Sequence, residues 1–142
     1  PLKCVFYAKS IYPMADVKKN VIVNHSADQM FNLVDRIEDY PLFLPWCGGT
    51  KVLERNSDIT KATILIKYSG VNQSFTSLNM KNYPHRIDLK LIDGPFKVLE
   101  GYWIFNKING DACSIISSAL CIFKLFLTLL QLLPLDKLGF LS

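Results

Sequence analysis

Residues 60–111 read TKATILIKYSGVNQSFTSLNMKNYPHRIDLKLIDGPFKVLEGYWIFNKINGD. Apolar residues recur there at alternate positions, and Gly, Pro and Asn interrupt them at intervals, the pattern of strands joined by short turns. Thr60 to Ser69 carries Ala62, Ile64, Ile66 and Tyr68 on one face, Gly70 turns the chain, and Val71 to Met80 returns. Asn82-Tyr83-Pro84-His85 turns again into Arg86 to Ile92, which alternates through Ile87, Leu89 and Leu91. Gly94-Pro95 breaks that run, and Leu99 to Lys107 sets Tyr102 and Ile104 against Trp103 and Phe105. Asn109-Gly110 is a tight-turn signal into a last strand from Asp111.

Upstream, Lys51 to Arg55 adds a strand that turns at Asn56-Ser57-Asp58. Before it lies Tyr40-Pro41-Leu42-Phe43-Leu44-Pro45-Trp46, an apolar element stiffened by two prolines. Ser26 and Gln29 match a capping box, and Met30, Phe31, Leu33, Val34 and Ile37 give a helical stripe that should end before Pro41. Asp16 to Asn24, with Val17, Val21 and Val23 on one face, reads as the first strand. The order is strand, two short helices, then a meander of about five strands, which predicts an α+β chain with a curved antiparallel sheet. Its apolar face calls for a C-terminal helix over an apolar cavity, the helix-grip arrangement.

The composition supports one domain. The chain has 142 residues, 50% hydrophobic and 20% charged, with 16 Lys plus Arg against 12 Asp plus Glu. A net charge of +4 is compatible with an RNA or membrane-surface partner without requiring one. Four cysteines without Cys-x-x-Cys spacing read as reduced thiols rather than as a disulfide framework or a zinc site. Residues 1–13 precede an internal Met14 and are expected to be an upstream extension outside the fold. Residues 14–113 form the expected domain. Residues 114–142 are a leucine-rich tail whose only charges are Lys124, Asp136 and Lys137, and Pro134 stops its apolar run short of a membrane span.

Catalytic chemistry finds little to work with. His25 and His85 are isolated, no phosphate loop or nucleophile elbow is present, and neither a catalytic nor a metal site is expected. Asp35, Glu38 and Asp39 read as a solvated helix face, and Cys47 as a small buried thiol. Two segments are suited to lining an apolar cavity: Phe43, Leu44, Pro45 and Trp46 in the stiff wedge, and Phe96, Trp103 and Phe105 around Gly94-Pro95 and the aromatic strand. Core packing is the competing reading for both. Exposed bases such as Lys18, Lys19, Lys51, Arg55, Lys61 and Lys67 are candidate RNA contacts, against a reading as scattered solubility charge.

Tyr40-Pro41-x-Phe43-Leu44-Pro45-Trp46-Cys47, Gly94-Pro95-Phe96 and Leu99-x-Gly101-x-Trp103-x-Phe105 together resemble the START-like, helix-grip family of ribosome association toxins and coenzyme Q-binding proteins, within the polyketide cyclase/dehydrase-like superfamily. The resemblance runs from Met14 to about Cys113. It implies a non-catalytic domain that binds ubiquinone or a similar lipid, needs no resident cofactor and supports respiration. The alternative it implies is a toxin that binds the large ribosomal subunit, through bases such as Lys18, Lys19, Lys51 and Arg55, and hinders subunit joining. A cyclase-like enzyme is the third reading, disfavoured by the lack of a His or paired acid on the cavity strands. DNA is not an expected partner. The expected location is the bacterial cytoplasm, with a peripheral place at the inner membrane for quinone binding.

Past Cys113 the resemblance breaks. Dropping one base from codons for Leu120 to Lys124 permits Tyr-Ala-Phe-Ser, close to the strand end the family has there. A frameshift near residues 114–119 is therefore expected. Resequencing the locus checks it: an intact frame that encodes the leucine-rich tail overturns the expectation.

Overall fold

A computed structural model describes residues 15–68, 70–95 and 98–121. Seven strands, β1 (Ala15–Val23), β2 (Cys47–Arg55), β3 (Ile59–Tyr68), β4 (Val71–Asn82), β5 (Arg86–Asp93), β6 (Leu99–Asn109) and β7 (Ala112–Cys121), form one antiparallel sheet. The order β1-β7-β6-β5-β4-β3-β2 follows from hairpin connections through the meander, with β1 added beside the last strand. α1 (Ala27–Asp35) and a 3-10 helix (Ile37–Leu42) cross between β1 and β2. The expected capping box is present: Ser26 Oγ accepts from the Gln29 N–H at 3.2 Å, and Gln29 Oε1 accepts from the Ser26 N–H at 3.0 Å. Asn109 closes the β6–β7 turn by accepting from the Asp111 N–H at 2.8 Å.

Period-two alternation sends Ala62, Ile64 and Ile66 of β3, Phe75 of β4, Ile87 of β5, Leu99 and Phe105 of β6, and Cys113 and Ile115 of β7 to one buried face. Two apolar clusters cover it. One gathers Ile37, Leu44, Trp46 and Cys47 against β3, β4 and Leu99. The other packs Met30, Phe31, Leu33 and Val34 of α1 against Ile87, Phe105, Cys113 and Ile115. Gly94 (φ +152°) allows a tight approach after β5, because a Cβ there would stand 2.7 Å from Phe75 Cβ. Residues 114–121, placed by sequence in the divergent tail, continue β7 and pair with both β1 and β6. Residues 1–14 and 122–142 lie outside the described residues, and with them the bulk of the tail and any covering C-terminal helix.

The acidic cluster needs correction. Asp35 does not belong to a solvated face, because it accepts from Thr60 Oγ1 at 2.7 Å and pairs with Lys81 Nζ at 3.1 Å, with the Asp35 and Lys81 side chains 14% and 6% exposed respectively. Glu38 stays exposed as expected, and Asp39 partly so. Arg55 donates to Glu38 through two nitrogens at 2.8 and 2.7 Å and to the Asp35 carbonyl at 2.8 Å. A bulge between Val52 and Glu54 makes this geometry: Val52 opposes Ala62, but Arg55 opposes Thr60, so the extra residue turns Arg55 onto the inner face. Tyr40 Oη donates to the Val34 carbonyl. Two of the carbonyls freed at the end of α1 are thus taken up by side chains from the 3-10 helix and β2.

Removing Lys81 leaves the nearly enclosed Asp35 carboxylate only Thr60 and a longer contact to Arg55 at 3.9 Å, and breaking a buried pair typically costs about 3–5 kcal/mol. Lys81→Met is therefore expected to lower urea-denaturation stability by about 3 kcal/mol, and Asp35→Asn in the same chain to recover part of it. Additive losses in that double-mutant cycle would show the pair to be uncoupled.

Candidate functional site

The wedge is built from its hydrogen bonds. Phe43 and Leu44 N–H groups donate to the Tyr40 carbonyl at 3.2 and 2.8 Å, and Cys47 N–H donates to Leu44 at 3.0 Å. Lys67 N–H then reaches the Trp46 carbonyl at 2.8 Å, seating the wedge on the end of β3. Pro41 lies inside the 3-10 helix, after α1 has ended at Asp35.

This framework sorts the seven aromatic and apolar candidates. Leu44, Trp46 and Phe105 are enclosed in the core, and Pro45 is exposed. Phe43 is half-buried and packs against both clusters, and half-buried Trp103 packs against the second. The Trp103 ring stacks on Phe105 with centroids 6.4 Å apart and planes 6° from parallel. Phe96 lies outside the described residues. Phe43 and Trp103 are therefore the two that combine aromatic surface with partial exposure. Trp103 stands in register with Ile87 and Ser117, and in the adjoining row Gly101, which has no side chain, pairs with Leu89. The row continues to Asn79, 3% exposed, whose Oδ1 accepts from Ser77 Oγ at 3.4 Å. Sequence reasoning missed these buried polar residues, although both fall at inward positions of the β4 alternation. On the opposite, convex face a groove of about 390 Å³ is lined by Met80, Asp88, Lys90, Glu100 and Tyr102. Arg86 lies 4.6 Å above the Tyr102 ring beside it and is held by Asp88.

The four basic candidates do not converge. Lys18 and Lys51 are exposed on β1 and β2, the two edges of the sheet, six strand spacings or about 29 Å apart along a flat sheet. Lys19 faces the Ser117 and Trp103 row on the inner side, and Arg55 is engaged by Glu38.

Electrostatics at the wedge are structural in character. Hydrogen bonding from Arg55, opposed by partial burial, lowers the Glu38 pKa to about 2. Burial pushes the Cys47 thiol up, only partly offset by its contact with the Gly49 carbonyl, and pushes the Tyr40 phenol up as well. Neither thiolate nor phenolate chemistry is favoured there. Among the described residues no group of three or more His, Cys, Asp or Glu is placed to hold a metal ion. No helix among them is long and apolar enough to cross a membrane.

A meander sheet whose concave face is packed by a short helix pair defines a helix-grip, START-like protein. The sequence model of polyketide cyclase / dehydrase and lipid transport proteins matches residues 23–130, and the chain belongs to that family. It is 37% identical over 102 residues to the ribosome association toxin RatA of Vibrio cholerae serotype O1, covering 72% of this chain and 71% of that one. It is 36% identical to the persistence and stress-resistance toxin PasT of Escherichia coli O6:H1, where the match spans 72% of this chain and 65% of PasT. Coenzyme Q-binding protein COQ10 homolog B, mitochondrial, of Xenopus laevis is 26% identical over 104 residues, 70% of this chain and 43% of that protein. A START superfamily protein of Mycobacterium smegmatis has the same fold, with TM-score 0.74 and 18% identity over 89% of this chain and 99% of that one.

Because the folded Glu38 pKa lies below the usual carboxylate value of 4.5, its pairing stabilises the fold above pH 4.5, and that stability is lost as pH falls toward 2. In Glu38→Gln the pH dependence of urea stability between pH 4.5 and 2 is expected to be shallower than in the parent. Identical slopes would place the Arg55 contact outside the stability balance.

Proposed function

We propose that this chain is a ribosome-association protein of the toxin kind, engaging the large ribosomal subunit rather than carrying out a chemical reaction. The observation that carries this reading is 37% identity with the V. cholerae toxin across 102 residues. The structure adds a supporting argument. Leu44, Trp46 and Phe105, three of the residues expected to line an apolar ligand cavity, are buried in the two packed clusters, which favours the core-packing reading of them. The net charge of +4 is compatible with association through surface electrostatics.

A second reading keeps the concave side as a site for ubiquinone or a similar lipid. It is favoured by half-buried Phe43 and Trp103 beside side-chain-free Gly101, and by the 26% identity with the coenzyme Q-binding relative. Ligand sites of this type are mostly apolar with a few polar groups.

The purified full chain is expected to sediment with large ribosomal subunits at low salt and to be released as salt rises. Titration with a ubiquinone analogue, read by fluorescence of Trp46 and Trp103, is the parallel measurement. Saturable quenching in a chain that stays in the supernatant at every salt concentration would replace the first reading with the second.

A further inference from the structure

The convex face of the sheet holds a feature that the four dispersed bases conceal. Since Ala62, Ile64 and Ile66 point inward, Lys61 and Lys67 of β3 point outward, and Lys51 of β2, opposite Thr63, joins them. Lys61 pairs with Leu78 and Leu78 with Lys90, so Lys61 and Lys90 share one transverse row, about 10 Å apart across two strand spacings. Lys51 lies about 8 Å from Lys61 by the same strand geometry. Gly48 shapes the far end: a Cβ there would stand 2.8 Å from Lys67 Cβ, so only glycine lets the lysine stem lie across β2.

Charge pairing separates these lysines from the other cations of β2–β5, although Lys18 and Lys107 elsewhere are likewise without an ion pair among the described residues. Arg36, Arg55, Lys81 and Arg86 each sit in an ion pair, whereas Lys51, Lys61, Lys67 and Lys90 form none among the described residues. The acids on the face are Glu54, opposite Lys61 in register, Glu100, opposite Lys90, Asp93, opposite Thr76, and Asp88, which Arg86 neutralises. Protection of a free strand edge accounts for Lys51 but not for Lys61 or Lys90, whose strands are paired on both sides. Thr63, Ser74 and Thr76 lie between the lysines on the same face, with the two threonine hydroxyls 2.8 Å apart. No aromatic side chain stands outward on β2 to β5 to stack a base, which directs recognition to the backbone.

We propose that the convex face of β2–β5, centred on Lys51, Lys61 and Lys90 with Lys67 at its end, docks on the phosphodiester backbone of RNA. The inference rests on the ribosome-association reading and names the surface that makes the contact. Clustered cations meeting phosphates release counterions, which gives an affinity that falls steeply with salt.

The test compares two doubly charge-reversed full chains with the same change in net charge: Lys61→Glu/Lys90→Glu on this face of β2–β5, and Lys18→Glu/Lys107→Glu outside those strands, on β1 and β6. Binding is measured by co-sedimentation with purified large ribosomal subunits across a salt series, after circular dichroism has verified folding. The first variant is expected to bind about tenfold more weakly or worse, with a salt slope shallower by about 2. The second should stay within about twofold of the parent. Lys61→Gln/Lys90→Gln, which adds no charge beside Glu54 and Glu100, should weaken binding in the same direction and keeps the test valid should the Glu variant misfold. Equal weakening by the variants on and off the face, or none from the on-face variants, overturns the assignment while leaving ribosome association standing. A parent chain that never sediments with subunits overturns that reading and this inference with it.

Discussion

The C-terminal end of α1 is the joint on which the remaining architecture turns. A helix end leaves carbonyls without partners, and one pressed onto a sheet has little water to satisfy them. Here Tyr40 takes the Val34 carbonyl and Arg55 takes that of Asp35. The Asp35 carboxylate faces Lys81 and Thr60 on the floor of the sheet. Those contacts fix where the chain leaves α1, hence the path of the 3-10 helix, hence the placement of Phe43, Leu44 and Trp46. A buried ion pair is a poor source of net stability compared with apolar packing. Its role here is better described as registration: it ties one helix end to β2, β3 and β4 together.

Much of this fold was legible because its determinants are local. Alternation in Thr60–Ile66 or Ile87–Leu91, the Ser26–Gln29 cap and the Asn109-Gly110 turn each depend on residues within one element. Illegible features were those made by distance or register. Asp35 and Lys81 are 46 positions apart, and nothing in either neighbourhood announces the other. Arg55 would face outward on a regular β2, and the bulge that turns it inward leaves no distinctive residue in the sequence. An acidic cluster that reads as solvated is therefore one internal counterion, Asp35, and two surface pairs, Arg55 with Glu38 and Arg36 with Asp39.

The candidate site was legible by residue type and not by depth. Leu44, Trp46 and Phe105 share the chemistry of Phe43 and Trp103, yet the first three sit inside the clusters and the latter two at their margins. Which aromatic residue packs and which stays accessible is set by the layer above the sheet, and a strand pattern carries no information on that layer. The lysines show the converse. Read along the chain they are scattered, and only the transverse rows bring Lys61 and Lys90 onto one line.

The two faces of this sheet are chemically independent, and that bears on how a lipid-type fold relates to ribosome association. Side chains one residue apart on a strand point to opposite sides, so Ala62 and Lys61, or Leu89 and Lys90, answer to separate environments. Substitution on the convex side leaves the inward packing of Ile64, Ile66 and Phe75 intact. A protein with this scaffold can thus acquire a cationic docking surface without redesigning its core, and can fill its concave side with packing without losing that surface. In this chain the cations without ion pairs in β2–β5 lie on the convex face.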